Sequence, residues 1–184
     1  MVSDTNTKVL RHYRASDLIH RFKSVIAFFS IAMTVGCYYA RTESALDQQQ
    51  IEEAIAELRA AYAAFNRGDI DAAVRSLDSQ VEWIEPAEFP GGGTYHGIDG
   101  AKRYLAQSRA GAVHVISEPE RFLPAADRIV VFVHARVLPK NSDTWQDIRL
   151  ADVYTFHHGR VTNMRAFADR EDALRWAGIK QQSK

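Results

Sequence analysis

From residue 113 onward the chain reads as a row of strands joined by connections too short to hold a helix. Alternating or apolar runs occupy about Val113–Leu123, Arg128–Leu138, Trp145–His157 and Arg160–Ala168. Short polar turns, Pro139–Asp143 and His158–Gly159 among them, separate these runs. A parallel neighbour needs a crossover of a dozen residues or more, so turns of this length force antiparallel neighbours.

The half before residue 113 has a helical period instead. Between Gln48 and Asn66, Ile51, Ile55, Leu58, Tyr62 and Phe65 fall on one helix face. Gly68 suits the left-handed residue that ends such a helix, and Asp69 suits the cap of a second, predicted over Ile70–Leu77 with Ile70, Ala73, Val74 and Leu77 inward. Val81–Glu85 reads as a strand closed by Pro86, Glu88–Gly97 as a loop around three successive glycines, and Ile98–Ala110 as a third helix with Tyr104 and Leu105 on its inward side. Asp169 caps a last short helix that Gly178 ends. The predicted order is α-α-β-α-β-β-β-β-α. That is an α+β fold, a curved antiparallel sheet packed on N-terminal helices.

Charge divides the chain. Its 184 residues carry 23 basic and 23 acidic side chains, yet residues 1–23 alone hold Lys8, Arg11, Arg14, Arg21 and Lys23 against Asp4 and Asp17. The apolar run Val25–Ala40 follows. As a helix it would rise about 24 Å, short of a hydrocarbon core of about 30 Å. Residues 1–45 are therefore read either as a signal or anchor, with Thr34–Cys37 a faint lipoprotein-box likeness, or as an extension without that role, with translation starting at Met33. Residues 46–180 form the predicted domain and 181–184 a polar tail. Localisation is left open: the cytoplasm is favoured for a soluble domain, and export or membrane anchoring would follow if the first 40 residues act as signal or anchor. The neutral balance argues against nucleic acid as a partner. The glycine loop lacks phosphate-binding and dinucleotide patterns, and the seven histidines lack paired ligand spacing, so neither a cofactor nor a metal is expected.

One acid breaks the strand alternation. In Trp145–His157, Ile148, Leu150, Tyr154 and Phe156 share a face, and Asp152 falls among them. Burial raises a carboxyl's pKa, so Asp152 is expected to be a neutral hydrogen-bond donor at pH 7 unless it pairs with Arg136 or Arg165. Glu85 ends its strand on the same face as Trp83, held extended by Pro86. By itself it reads as a solvated strand-end acid.

Five stretches in this order, Tyr62–Ala73 (YAAFNRGDIDAA), Val81–Pro86 (VEWIEP), Gly93–Gly100 (GTYHGIDG), Ala151–Phe156 (ADVYTF) and Gly159–Ala166 (GRVTNMRA), resemble the nuclear transport factor two-like superfamily, in its SnoaL-like and ketosteroid isomerase-like branch. The resemblance covers about Glu52–Ala177. It implies a cone-shaped fold with an internal pocket, a homodimer, and a hydrophobic small-molecule ligand. The isomerase's general base matches Glu85, and its protonated oxyanion donor matches Asp152. The departures are Ala61 where the isomerase has a tyrosine, with Tyr62 one residue on, and Glu in place of the usual Asp at 85. Ala166 stands where the limonene-epoxide hydrolase pattern has an acid. Asp169 matches a late acid of the polyketide cyclases, or is simply the helix cap.

Two functions follow as expectations. In one, Glu85 takes a proton next to a carbonyl, neutral Asp152 stabilises the oxyanion, and Tyr62, Trp83, Tyr95, Tyr154, Phe156 and Met164 line the pocket. In the other, the fold binds a ligand or dimerises without catalysis. Glu85 and Asp152 facing one cavity across about 8–10 Å, the spacing of paired catalytic carboxyls, favours the first.

Overall fold

The structure, a computed structural model, describes residues 45–180. The basic segment, the apolar run, Cys37 and the 181–184 tail lie outside the described residues. Helix α1 (Gln48–Arg67) starts from a capping box, in which Asp47 accepts from the Gln50 backbone and Gln50 reaches back to the Asp47 backbone. It ends at Gly68, whose φ of 80° is left-handed. Its buried residues include Leu58, Tyr62 and Phe65 from the predicted face.

Helix α2 is shorter than the sequence suggests. It spans only Ile70–Ala73, capped by Asp69. Leu77, expected as its last inward residue, instead opens strand β1 (Leu77–Glu85). Strand β2 (Gly93–His96) lies inside the stretch predicted as loop and pairs antiparallel with β1. The glycines that exclude a helix do not exclude a four-residue edge strand, because β1 supplies its partner. Helix α3 (Gly97–Ala110) follows, and then β3 (Ala112–Ala125), β4 (Arg128–Pro139), β5 (Gln146–His157), β6 (Arg160–Phe167) and helix α4 (Arg170–Trp176).

The six strands form one curved, unclosed sheet in the order β2-β1-β6-β5-β4-β3. β3 to β6 are antiparallel neighbours, as their short turns require. The β1–β6 pair is parallel, the exception in an otherwise antiparallel sheet. β1 reaches β6 by way of α3 and three hairpins, a connection ample for a parallel neighbour. Extra residues at Glu120 in β3 and Thr162 in β6 break the register and bend the sheet.

The concave face carries the main core, where α1 and α3 set Leu58, Phe65, Ala101 and Leu105 against Val81, Val131, Val133 and Val161. The convex face is covered at one end by α4, which packs Ala173 and Ala177 on Val130, Ala151 and Val153. Arg170 ties α4 down: its Nη2 donates to Glu120 at 2.7 Å and to the Val133 carbonyl at 2.9 Å.

Candidate functional site

A cavity of about 250 Å³ opens between the concave face and the helices. Its two acids come from β5 and β1, with β6 between them. Asp152 on β5 stands opposite Ala166 on β6. Ile84 stands opposite Arg165, so the next pair in register sets Glu85 beside Ala166. Two strand spacings of about 4.8 Å separate the acids' backbones by roughly 10 Å. Ala166, whose side chain is a single methyl, leaves the space above it open, and all three residues line the cavity.

Asp152 is not paired with Arg136 or Arg165. Arg136 pairs with Glu118, and the Arg165 guanidinium lies over Phe167 and Trp176. Its partner comes from α1: the Tyr62 hydroxyl donates to Asp152 Oδ2 at 2.6 Å, and the Tyr154 hydroxyl donates to Tyr62 at 3.1 Å. Tyr62 therefore brings a hydroxyl to the acid although the residue at the isomerase's tyrosine position is Ala61. Glu85 is buried, 8 % exposed, which corrects the solvated reading. Trp83 Nε1 donates to its Oε1 at 2.7 Å. The Tyr104 hydroxyl from α3 faces it as well.

Burial and charge order the two acids against the expectation. Burial, reinforced by the nearby Asp152 charge, pushes Glu85 up to about 8, even though hydrogen bonds from Trp83 and Tyr104 pull it down. Burial also raises Asp152, but only to about 6, because the Tyr62 hydroxyl favours its ionised form. The two carboxyls interact and titrate as a unit. The expectation made Asp152 the neutral acid; burial raises Glu85 further. Burial keeps the hydroxyls of Tyr62, Tyr104 and Tyr154 protonated.

Of the other sequence candidates, Trp83, Tyr62 and Tyr154 line the cavity. Phe156 and Met164 do not; they are buried in the core. Tyr95 stays at the edge, its ring 5.1 Å from that of Tyr104 and its hydroxyl donating to the Gly91 carbonyl. Asp169 is a cap, accepting from the Glu171 and Asp172 backbones. It lines a separate cleft of about 300 Å³ that reaches Glu85 and Ala166 from another side. Two site residues escaped the sequence reading. Tyr104 shows there only as an inward helix position, and nothing local says that α3 crosses the end of β1. Phe89 lines the cavity from within the glycine loop, where it reads as a lone apolar residue. Among the described residues, no three His, Cys, Asp or Glu side chains gather as a metal site, and no helix is long and apolar enough to cross a membrane.

Residues 58–164, more than half of the chain, match the model of the SnoaL-like domain family. The chain belongs to that family. No curated protein matches it. Among solved structures it is similar to an NTF2-like protein of unknown function from Burkholderia pseudomallei, with 25% identity, a TM-score of 0.59, and 67% of this chain and 95% of that one covered. It is similar to TerC co-crystallised with polyporic acid, with 26% identity, a TM-score of 0.58, and coverage of 68% and 98%. A putative SnoaL-like polyketide cyclase from Jannaschia sp. shares the fold at 18% identity, with a TM-score of 0.54 and coverage of 73% and 94%. The SnoaL-like domain of this chain thus carries its two acids in a nuclear transport factor two-like cone.

Proposed function

We propose that this SnoaL-like domain binds a hydrophobic carbonyl compound in its cavity and moves a proton at the carbon next to the carbonyl. The observation that carries this reading is the acid pair: two carboxyls of unequal proton affinity facing one cavity across Ala166. Asp152, ionised and steadied on one oxygen by Tyr62, takes the proton from carbon. The C–H electron pair forms the C=C bond of an enolate as the carbonyl π pair moves onto oxygen. Glu85, neutral and oriented by Trp83, donates a hydrogen bond to that oxygen. Return of the proton to the same or a neighbouring carbon completes an isomerisation or sets up a ring closure. TerC and the Jannaschia protein lend support by analogy of fold, through the ligand named for one and the activity named for the other.

The step can be read without knowing the net reaction. In D₂O, proton abstraction next to a carbonyl exchanges that hydrogen for deuterium. Rigid apolar ketones such as 2-decalone and 2-tetralone, followed by NMR, should exchange faster with the full chain than in buffer. Asp152→Asn should slow the catalysed exchange by about 10²-fold or more. Glu85→Gln should slow it by about 10–10²-fold, by weakening oxyanion stabilisation. No acceleration by the unmutated chain, or equal rates in all three proteins, refutes the reading.

A further inference from the structure

The cavity has a one-sided charge. Among the described residues, its only ionisable side chains are Glu85, Asp152 and the tyrosines Tyr62, Tyr104 and Tyr154, and no lysine, arginine or histidine lines it. Several basic residues adjacent in sequence to lining positions are occupied elsewhere: Arg109 donates to the Phe65 carbonyl, Arg59 lies over Phe122, Arg136 pairs with Glu118 and Arg149 with Glu120. Two of the cavity's donors are also taken, since Trp83 Nε1 is bound to Glu85 and the Tyr62 hydroxyl to Asp152. A ligand entering this end meets two carboxyl groups and aromatic rings with no basic side chain beside them, which favours a cation over a carboxylate.

We propose that the cavity selects lipophilic cations, compounds with a protonated amine or a quaternary ammonium group seated between Glu85 and Asp152, and rejects carboxylates. This rests on the cavity being the ligand site, as proposed above, and not on the proton transfer. Glu85 and Asp152 neutralise the cation, and the rings of Tyr62, Trp83, Tyr104 and Tyr154 replace part of its hydration. The apolar remainder of the ligand lies along Leu58 and Phe65, which line the same cavity.

The test uses three probes of one size and different charge: cyclohexyltrimethylammonium, its uncharged carbon isostere tert-butylcyclohexane, and cyclohexanecarboxylate. A quaternary ammonium donates no hydrogen bond, so preference for it reports charge alone. Binding to the full chain is read by quenching of tryptophan fluorescence, where Trp83 is the cavity's tryptophan, and checked by calorimetry for the soluble probes. The cation should bind at least tenfold more tightly than the isostere, and the carboxylate should not bind. In Glu85→Gln/Asp152→Asn, with near-ultraviolet circular dichroism confirming the fold, the preference should vanish while the isostere binds as before. Equal affinity for cation and isostere overturns the proposal, as does a preference that survives in the double variant. Failure of every probe to bind also overturns it, while deuterium exchange into ketones separately decides the proton-transfer reading.

Discussion

Glu85 and Asp152 are held where an isolated carboxyl would not ionise at its ordinary pH, and this links the site to stability. Each keeps its proton in the folded chain at pH values where the unfolded chain has released it, since Glu85 moves from 4.5 to about 8 and Asp152 from 3.8 to about 6. A carboxyl with a raised folded-state pKa stabilises the fold below its unfolded value, and that stability is lost as pH rises through its folded value. At about 1.4 kcal/mol per pKa unit, the chain should lose a few kcal/mol between pH 5 and pH 9. Glu85→Gln keeps an oxygen for Trp83 and removes the proton linkage. Urea unfolding at both pH values should show most of the loss gone in this variant; the same loss in both proteins would mean that Glu85 is solvated. Asp152 was legible because strand parity is a strict two-residue period, and one polar residue among Ile148, Leu150, Tyr154 and Phe156 stands out. Its protonation state was not legible. That depends on Tyr62, 90 positions away in sequence, and on Glu85, two strands across the sheet.

The elements were legible where their signals are local. Gly68, Asp69 and Asp169 mark helix ends by backbone chemistry that needs no distant partner, and the short turns between β3 and β6 fix their pairing. β2 was not legible, because a four-residue strand beside three glycines exists only by virtue of β1. The parallel β1–β6 contact is likewise a tertiary fact. The glycine loop shows what the missing element does. Gly92 sits so close to Pro86 that a Cβ built there would lie 2.0 Å from the Pro86 carbonyl oxygen. This tight turn, closed by the Gly92 N–H bond to the Phe89 carbonyl at 2.8 Å, directs Phe89 and Pro90 into the cavity wall. Gly92→Ala should therefore displace the loop and weaken ligand binding about tenfold or more. The melting temperature should change little, since loop residues Ala87, Glu88 and Pro90 are exposed. A Gly92→Ala protein that catalyses ketone exchange like the parent would remove the loop from the site.

At the scale of the whole molecule, one sheet serves two packing layers with different duties. Along β4, Val131 and Val133 face the helices and the main core, while Val130 faces α4 with Ala151 and Val153. The concave layer is left incomplete by a cavity of about 250 Å³, and the convex layer under α4 supplies stability without touching it. The two layers should therefore separate under mutation. Ala173 is fully buried in the convex layer, and Ala173→Leu overfills it, at a cost of about 1–3 kcal/mol. Leu58, 2 % exposed, lines the cavity from α1. Leu58→Ala should cost about 2–5 kcal/mol and also enlarge the space in which a ligand must be positioned. Both variants should lower the urea midpoint. Deuterium exchange into 2-decalone, measured below the unfolding transition, should stay within twofold of the parent for Ala173→Leu. It should fall about tenfold or more for Leu58→Ala, since a misplacement of about 1 Å at the reacting atoms can cost on the order of 10²-fold. Equal losses of exchange in the two variants would show that the convex layer shapes the cavity through the sheet, and the division of duties would not hold.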